Sequence, residues 1–175
     1  MQTILTGLAL VALLFTRPCY SQTASNKPGR VNQGWAPSTT VPDSGGPNPV
    51  LINNVNIKAA RDFMKFFKKA TNVTWTIVPD GFLAHCYCDG IQTRVHYDTK
   101  GNREFVCRSY GENKLPHEIR HLVKSNYYDY SIFCVNEVTV SDQTVYFIKI
   151  DDDVEWKTLK VEDGEIYVTE EFKKG

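Results

Sequence analysis

Apolar side chains recur at helical spacing in two separate segments of the chain. The first segment has apolar residues at i, i+3, i+4 and i+7, namely Ala59, Ala60, Phe63, Phe66, Phe67 and Ala70. The second segment shows the same spacing at Leu115, Ile119, Leu122 and Val123. Pro116 stands in the first turn of the second segment, where its missing N–H group would have no partner in any case. The spacing predicts two amphipathic helices.

Alternating apolar and polar residues follow each predicted helix and indicate β-strands. The first group of strands is predicted at residues 73–78, 82–88, 91–97 and 102–110. The second group is predicted at residues 130–140, 144–150, 154–161 and 165–172. Asp89-Gly90 is the strongest short hairpin signal, and Asp98-Thr99-Lys100-Gly101 is a four-residue turn with glycine where a positive φ is needed. Strands joined by such short turns pair in antiparallel order.

The same order of elements is predicted twice along the chain. A helix and four strands are expected at about residues 55–112 and again at about residues 113–175, at an offset of about 60 residues. The two copies have little sequence identity, so the repeat is one of pattern. We therefore expect an α+β fold in which two tandem helix-plus-antiparallel-sheet units form one domain at residues 55–175.

The first 21 residues have the features of a cleavable secretion signal. Residues 4–15 form a mostly apolar block that is too short for a membrane-spanning helix, which needs about 20 apolar residues. Cys19 and Ser21 are small residues at the two positions that a signal peptidase reads before Gln22. Residues 22–54, rich in Ser, Thr, Asn, Gly and Pro, predict a disordered spacer. We therefore expect a periplasmic or secreted protein with no integral membrane segment after cleavage.

Charge and composition narrow the range of partners. The chain has 20 basic and 20 acidic residues and a formal net charge of zero. It therefore lacks the basic excess that nucleic acids or anionic lipids attract, and neither is expected as a partner. Hydrophobic residues make up 42% of the chain, which is enough for a packed core.

Four cysteines follow the predicted signal peptide: Cys86, Cys88, Cys107 and Cys134. An oxidising compartment would permit two disulfides. Cys86 and Cys88 lie at i, i+2 on one strand, with Cα atoms about 6.8 Å apart, at the limit for a disulfide. Cys86 and Cys107 would lie two strand spacings apart, roughly 9.6 Å, which is too far to bridge. We expect most of these cysteines to be buried free thiols, with a Cys-x-Cys redox or metal site as the alternative.

The segment His117-Glu118-Ile119-Arg120-His121 matches the H-E-x-x-H pattern of zinc proteases. In those enzymes two histidines one helical turn apart bind the metal, and the glutamate activates a water molecule. With Ile119 at the centre of the buried helix face, both histidines fall about 160° away and should face solvent. We therefore expect a solvated helix face without a metal. A zinc-dependent hydrolase that uses His117, Glu118 and His121 is kept as the alternative.

Several short motifs stand in a fixed order along the predicted folded part: Thr74-Trp75, Asp80-Gly81-Phe82-Leu83-Ala84, Asp89-Gly90, Val95-His96-Tyr97-Asp98, Gly101, Leu115-Pro116, Ile119 and Tyr127-Tyr128-Asp129-Tyr130-Ser131-Ile132. Over about residues 56–172 they resemble the PepSY-like, β-lactamase-inhibitor-like family of exported proteins from Gram-negative bacteria of the Bacteroides group. The cysteines of the first half and the long spacer depart from that family's pattern. The resemblance implies a non-catalytic α+β fold, with helices on one face of an antiparallel sheet in a tandem arrangement. It implies no defined ligand or inhibitory residue.

Aromatic-rich strands without a recognisable catalytic motif indicate a binding module. If they are exposed, Tyr87, Tyr97, Tyr110, Tyr146 and Trp156 would be its contact residues, because Tyr and Trp dominate the energetics of protein interfaces. The expected partner is a protein or peptide of the cell envelope. Inhibition of a protease or of another envelope enzyme is the finer hypothesis. Neither a cofactor nor enzymatic activity is expected.

Overall fold

Residues 54–175 are described by a computed structural model of the protein. The first helix, α1, spans Ile57–Phe66 and precedes four strands: β1 (Thr71–Val78), β2 (Gly81–Cys88), β3 (Ile91–Asp98) and β4 (Arg103–Tyr110). A 3-10 turn at Glu112–Lys114 and helix α2 (His117–Asn126) precede four more: β5 (Ser131–Val140), β6 (Gln143–Asp151), β7 (Glu155–Glu162) and β8 (Glu165–Lys173). The predicted strand positions are confirmed. The predicted signal peptide (1–21) and nearly all of the predicted spacer (22–54) lie outside the described residues.

All eight strands form one antiparallel sheet in which each strand pairs with its neighbours along the chain, in the order β1 to β8. The prediction of tandem helix-plus-sheet units is therefore wrong. Strands β4 and β5 pair from Phe105 opposite Val140 to Tyr110 opposite Val135. This pairing makes the two predicted units a single continuous sheet, on which the two ten-residue helices are a minor addition.

The turn between β3 and β4 is fitted to the start of α1. Asn56 caps this helix, because its side-chain oxygen accepts a hydrogen bond from the Lys58 N–H at 2.9 Å and its amide nitrogen donates one to the Thr99 carbonyl at 3.2 Å. Gly101 has a φ of 80°, and a Cβ atom at this position would lie 2.7 Å from the Asn56 side chain. Only glycine satisfies both the backbone conformation and the close approach.

A first core cluster lies between α1 and strands β1 to β3. Its buried members are Val55, Ala59, Phe63, Trp75, Ala84, Cys86, Val95 and Tyr97. The Trp75 ring lies 5.4 Å from the ring of Phe63 and 5.7 Å from that of Tyr97, measured between centroids. These edge-on and tilted contacts are typical of stable aromatic packing.

A second core cluster lies between α2 and strands β5 to β7. Its buried members are Leu115, Val123, Ile132, Val135, Ile148, Ile150, Leu159 and Val161, all of them aliphatic. Val106 of β4 packs against the first cluster, and Tyr110 of the same strand packs against the second. Side chains of residues separated by an even number lie on the same side of a strand. Both helices therefore cover one side of the sheet, which we call the helix face, and the other side is the far face.

Candidate functional site

The five aromatic residues predicted as contacts are divided between the two faces of the sheet. Tyr97, Tyr110 and Tyr146 belong to or pack against the core clusters of the helix face. Tyr87 and Trp156 are separated by an odd number of residues from the core residues of their strands, so they lie on the far face. They are 43% and 37% exposed. The structure does not bring the five residues together as one surface.

Tyr97 is a core residue, which removes it from the predicted set of contacts. Its side chain is fully buried, and its hydroxyl donates a hydrogen bond to Asp62 Oδ2 of α1 at 2.9 Å. Burial, together with this bond and the negative charge of Asp62, raises the pKa of the Tyr97 hydroxyl. Arg103 Nε lies 3.6 Å from the same carboxylate, so Asp62 connects α1 to two strands.

Tyr110 and Tyr146 are half-buried around Glu137 on the helix face. The Tyr110 hydroxyl donates a hydrogen bond to Glu137 Oε2 at 2.5 Å, and Arg108 Nη1 lies 3.4 Å from Glu137 Oε1. Burial raises the pKa of Tyr146, and the charges of Glu137 and Glu118 raise it further. Through Glu137, Tyr110 of β4 is connected to β5, and Tyr146 of β6 is paired directly opposite Glu137.

An exposed aromatic pair lies on the far face of the C-terminal strands. Trp156 of β7 is paired directly with Phe172 of β8, and their ring centroids are 4.9 Å apart. Phe172 is 50% exposed, and Tyr167, further along β8 and opposite Lys160, is 53% exposed. We call Trp156, Phe172 and Tyr167, with the neighbouring Lys160 and Glu170, the β7–β8 surface.

Sequence reasoning found Trp156 but missed Phe172 and Tyr167. The short Glu162-Asp163-Gly164 turn could have found Tyr167, because a hairpin closed by that turn brings β8 alongside β7 and Tyr167 opposite Lys160. Phe172 lies beyond the register shift between Thr158 and Leu159, so the turn alone does not pair it with Trp156. Aromatic residues on adjacent strands then become cross-strand neighbours, a relation that neither strand shows alone.

Ion pairs on the helix face connect the same two strands that carry the β7–β8 surface on the far face. Lys157 Nζ lies 2.5 Å from Glu155 Oε1 and 2.9 Å from Glu171 Oε2. The Tyr130 hydroxyl donates to the same Glu155 oxygen at 2.5 Å. The two carboxylates raise the pKa of Lys157, which therefore stays charged. These contacts tie β8 to β7 and to the residue that precedes β5.

His117 and His121 face solvent, as the helical wheel predicted. Both residues are exposed, and their ring centroids are 6.4 Å apart on the outer side of α2. Within residues 54–175, no group of three or more His, Cys, Asp or Glu side chains could hold a metal ion. A third zinc ligand is thus not provided by the part of the chain that the structure describes.

A second polar group on the far face surrounds His96, which is buried. Its Nδ1 atom lies 2.9 Å from Glu104 Oε2, and its Nε2 atom lies 3.4 Å from Asp80 Oδ1. The imidazole ring also stacks on Phe105 at 5.0 Å between centroids. The group connects the β1–β2 turn to β4, which is a structural role.

Comparison with known proteins identifies the fold. No protein-family model matches the chain, and no curated protein matches it in sequence. Among solved structures, a DUF2874 family protein from Bacteroides ovatus aligns with a TM-score of 0.57 and 17% identity, over 69% of this chain and 88% of that protein. A BLIP-like protein from Bacteroides fragilis aligns with a TM-score of 0.56 and 17% identity, over 68% of this chain and 86% of that protein. The chain shares the fold of these proteins.

A third similar structure bears on location. It comes from Bacteroides eggerthii, is provisionally described as a periplasmic protein, and aligns with a TM-score of 0.55 and 14% identity over 68% of this chain and 88% of its own. The β-lactamase-inhibitor-like part of the predicted resemblance is confirmed at the level of the fold, whereas the PepSY-like part stays a prediction. Among the described residues, no helix is long and apolar enough to cross a membrane.

Proposed function

We propose that the protein is a non-catalytic, exported binding module that contacts a protein of the cell envelope through the β7–β8 surface. The observation that carries this proposal is the Trp156–Phe172 pair, two large rings in contact with each other and still 37% and 50% exposed. Exposed aromatic residues that cluster on a rigid strand pair are typical of interface hot spots.

The composition of the β7–β8 surface favours a protein partner. Tyr167 lies on the same face, beyond Thr158 and Glu170, and Lys160 is opposite it, so charges of both signs stand among the exposed rings. Exposed aromatic residues are enriched at protein interfaces. Charges of both signs also fit the balanced charge of the whole chain, which gives no electrostatic attraction to a polyanion.

An envelope location is supported by two independent observations. The N-terminal residues have the pattern of a secretion signal, and the similar structure from Bacteroides eggerthii is provisionally described as periplasmic. The finer part of the proposal is that the module inhibits or modulates a protease or another envelope enzyme. It is supported by the BLIP-like description of the similar protein from Bacteroides fragilis, and a shared fold alone does not carry that activity.

The proposal is tested by comparing capture of envelope proteins by the unaltered chain and by two variants, Trp156→Ala and Phe172→Ala. Tyr128→Ala is the matched control, because Tyr128 is a large aromatic residue, 78% exposed, outside the β7–β8 surface. We expect the unaltered chain and the Tyr128 variant to capture the same protein. Either surface variant should capture at least tenfold less of it. Equal capture by all four proteins would contradict the proposal.

The inhibitory part needs a second measurement on the captured protein. Once mass spectrometry has identified it, its enzymatic activity is measured with increasing amounts of the module. We expect activity to fall with the unaltered chain and to be unaffected by the Trp156 variant. Binding without any change of activity would reject inhibition and leave the binding function intact.

A further inference from the structure

Two thiols of the helix face lie side by side on β2 without being joined. The Sγ atoms of Cys86 and Cys88 are 3.6 Å apart, and both residues are free cysteines. Strand alternation places both side chains on the helix face, while Tyr87 between them points to the far face. Cys107, also a free cysteine, lies on the far face of β4, so the sheet separates it from the pair.

The geometry of the pair is close to that of a disulfide. The sulfur atoms would have to approach by about 1.5 Å to reach bonding distance. The Cα atoms of residues i and i+2 of a strand lie about 6.8 Å apart, at the upper limit for disulfides, so closure requires a small backbone shift. Cys88 is the last residue of β2, next to the Asp89-Gly90 turn, so the shift would fall at the end of the strand.

The two thiols differ in their access to solvent. Cys86 is 2% exposed within the first core cluster, whereas Cys88 is half-buried at its margin. Burial, and next the neighbouring Cys88, raises the pKa of the Cys86 thiol to about 12. An external reagent therefore meets Cys88 first, and Cys86 is the protected second thiol.

We propose that Cys86 and Cys88 form a thiol–disulfide exchange site that accessible disulfides oxidise to an intrastrand disulfide. This site is separate from the β7–β8 surface and does not depend on the proposed binding function. The reagent is a small or exposed disulfide, the class of oxidant that an oxidising compartment contains.

The exchange proceeds in two balanced steps. The Cys88 thiolate attacks one sulfur of the external disulfide, forms a mixed disulfide, and releases one thiolate. Cys86 then attacks Cys88 Sγ, which forms the Cys86–Cys88 bond and releases the second thiolate. The protons of both cysteines pass to the leaving thiolates, so one disulfide is reduced to two thiols for each intrastrand bond formed.

The neighbouring thiol affects the second step. Cys88 raises the pKa of Cys86 through a hydrogen bond and through its charge. Once Cys88 is in a mixed disulfide it can carry no charge, so its electrostatic effect on Cys86 ends, while burial still opposes ionisation of Cys86. Because the product spans a distance at the limit of disulfide geometry, it is expected to be readily reduced, as strained disulfides are.

The test uses the full chain, incubated in its folded state with oxidised glutathione, alkylated and digested with trypsin. Residues 70–94 form one tryptic peptide that contains Cys86 and Cys88 and no other cysteine. We expect this peptide to appear without alkylation and lighter by two hydrogen atoms, and to return to the doubly alkylated form after treatment with reduced glutathione. Cys107, which is buried, should stay a free thiol throughout and so report that the protein is folded.

Three variants separate the roles of the thiols. Cys86→Ser should accumulate a glutathione adduct on Cys88, and Cys88→Ser should leave Cys86 unmodified. Cys107→Ser is the matched control and should oxidise at residues 86 and 88 like the unaltered chain. The proposal would be overturned if peptide 70–94 stayed fully alkylated at every ratio of oxidised to reduced glutathione, or if the unaltered chain stopped at the mixed disulfide.

Discussion

The two core clusters of the helix face are built from different kinds of side chain. The buried members of the first include three rings in contact, Phe63, Trp75 and Tyr97, whereas the buried members of the second are all aliphatic. The large rings of the C-terminal strands, Trp156 and Phe172, lie outside on the far face. The largest rings are thus buried in the first region and exposed on the far face of the C-terminal strands. Aromatic content alone does not distinguish a core from a binding site.

The largest effect is expected when the ring chain of the first cluster is broken. Trp75 is 4% exposed and contacts both Phe63 and Tyr97. Trp75→Ala should lower the free energy of unfolding by about 3–5 kcal/mol, because it removes a large buried side chain and leaves a cavity. Urea denaturation measures this loss. A loss below about 1 kcal/mol would mean that the first cluster does not depend on its rings.

A smaller effect is expected at the hydroxyl of Tyr97. Tyr97→Phe keeps the ring and removes the hydrogen bond to Asp62, which should cost about 1.5 kcal/mol, since the acceptor is charged. The pKa of Tyr97 is raised on folding, so above pH of about 10 the unfolded chain loses a proton that the folded chain retains. The Tyr97 hydroxyl therefore contributes fully to the free energy of unfolding below that pH. This contribution falls as the pH rises, by up to about 1.4 kcal/mol per pH unit.

The measurement is urea denaturation at a series of pH values from neutral to strongly alkaline. Tyr97→Phe should show a shallower loss of stability than the unaltered chain above pH of about 10. Tyr110→Phe is the corresponding variant beside the second cluster, because the Tyr110 hydroxyl donates a hydrogen bond to Glu137. The pKa of Tyr110 is likewise raised by burial, by this bond and by the charge of the carboxylate. If neither variant changed the alkaline slope, the tyrosine–carboxylate bonds would not be formed in solution.

Removing a ring from the β7–β8 surface should affect stability less than removing one from the first cluster. Trp156→Ala should cost about 1 kcal/mol, because the Trp156–Phe172 contact is worth about 0.5–1.5 kcal/mol and both rings are partly solvated. Urea denaturation beside Trp75→Ala makes the comparison direct. A loss equal to that of Trp75→Ala would place Trp156 among the core residues and weaken the proposed interface.

The smallest effect is expected on the outer side of α2. Replacing both His117 and His121 by Ala should change the free energy of unfolding by less than about 0.5 kcal/mol, because both side chains are exposed. Thermal unfolding of the unaltered chain should also be insensitive to a chelator. One zinc ion per chain in protein purified without a histidine tag, lost in the double variant, would instead support the hydrolase alternative.

Much of the fold was predictable because it is encoded locally. The alternation of residues and the turns at Asp89-Gly90 and residues 98–101 predicted the strands, and the helical wheel of α2 predicted the exposure of His117 and His121. The tandem arrangement was wrong because the order of elements does not reveal whether β4 pairs with β5. That pairing joins strands separated by residues 111–130, so no short turn signals it.

The candidate site was less predictable, because it depends on which face each residue occupies. Tyr97 has the same parity as Val95 on β3, a relation that is visible in the sequence. It becomes informative only when one knows which face the helices cover. The contact between Trp156 and Phe172 depends on the β7–β8 register, which is interrupted between Thr158 and Leu159, so counting back from the turn would have misplaced it.

The strand order also has a consequence for folding kinetics. A sheet in which every strand pairs with its chain neighbours has more local contacts than a sheet with crossover connections, and local contacts favour faster folding. Most strands can be added by closing a short loop, whereas β5 must return to β4 across residues 111–130 and a helix. The entropy of loop closure is therefore concentrated at this one junction. Substitutions at the β4–β5 pairs should slow folding, while those at β8 should mainly speed unfolding.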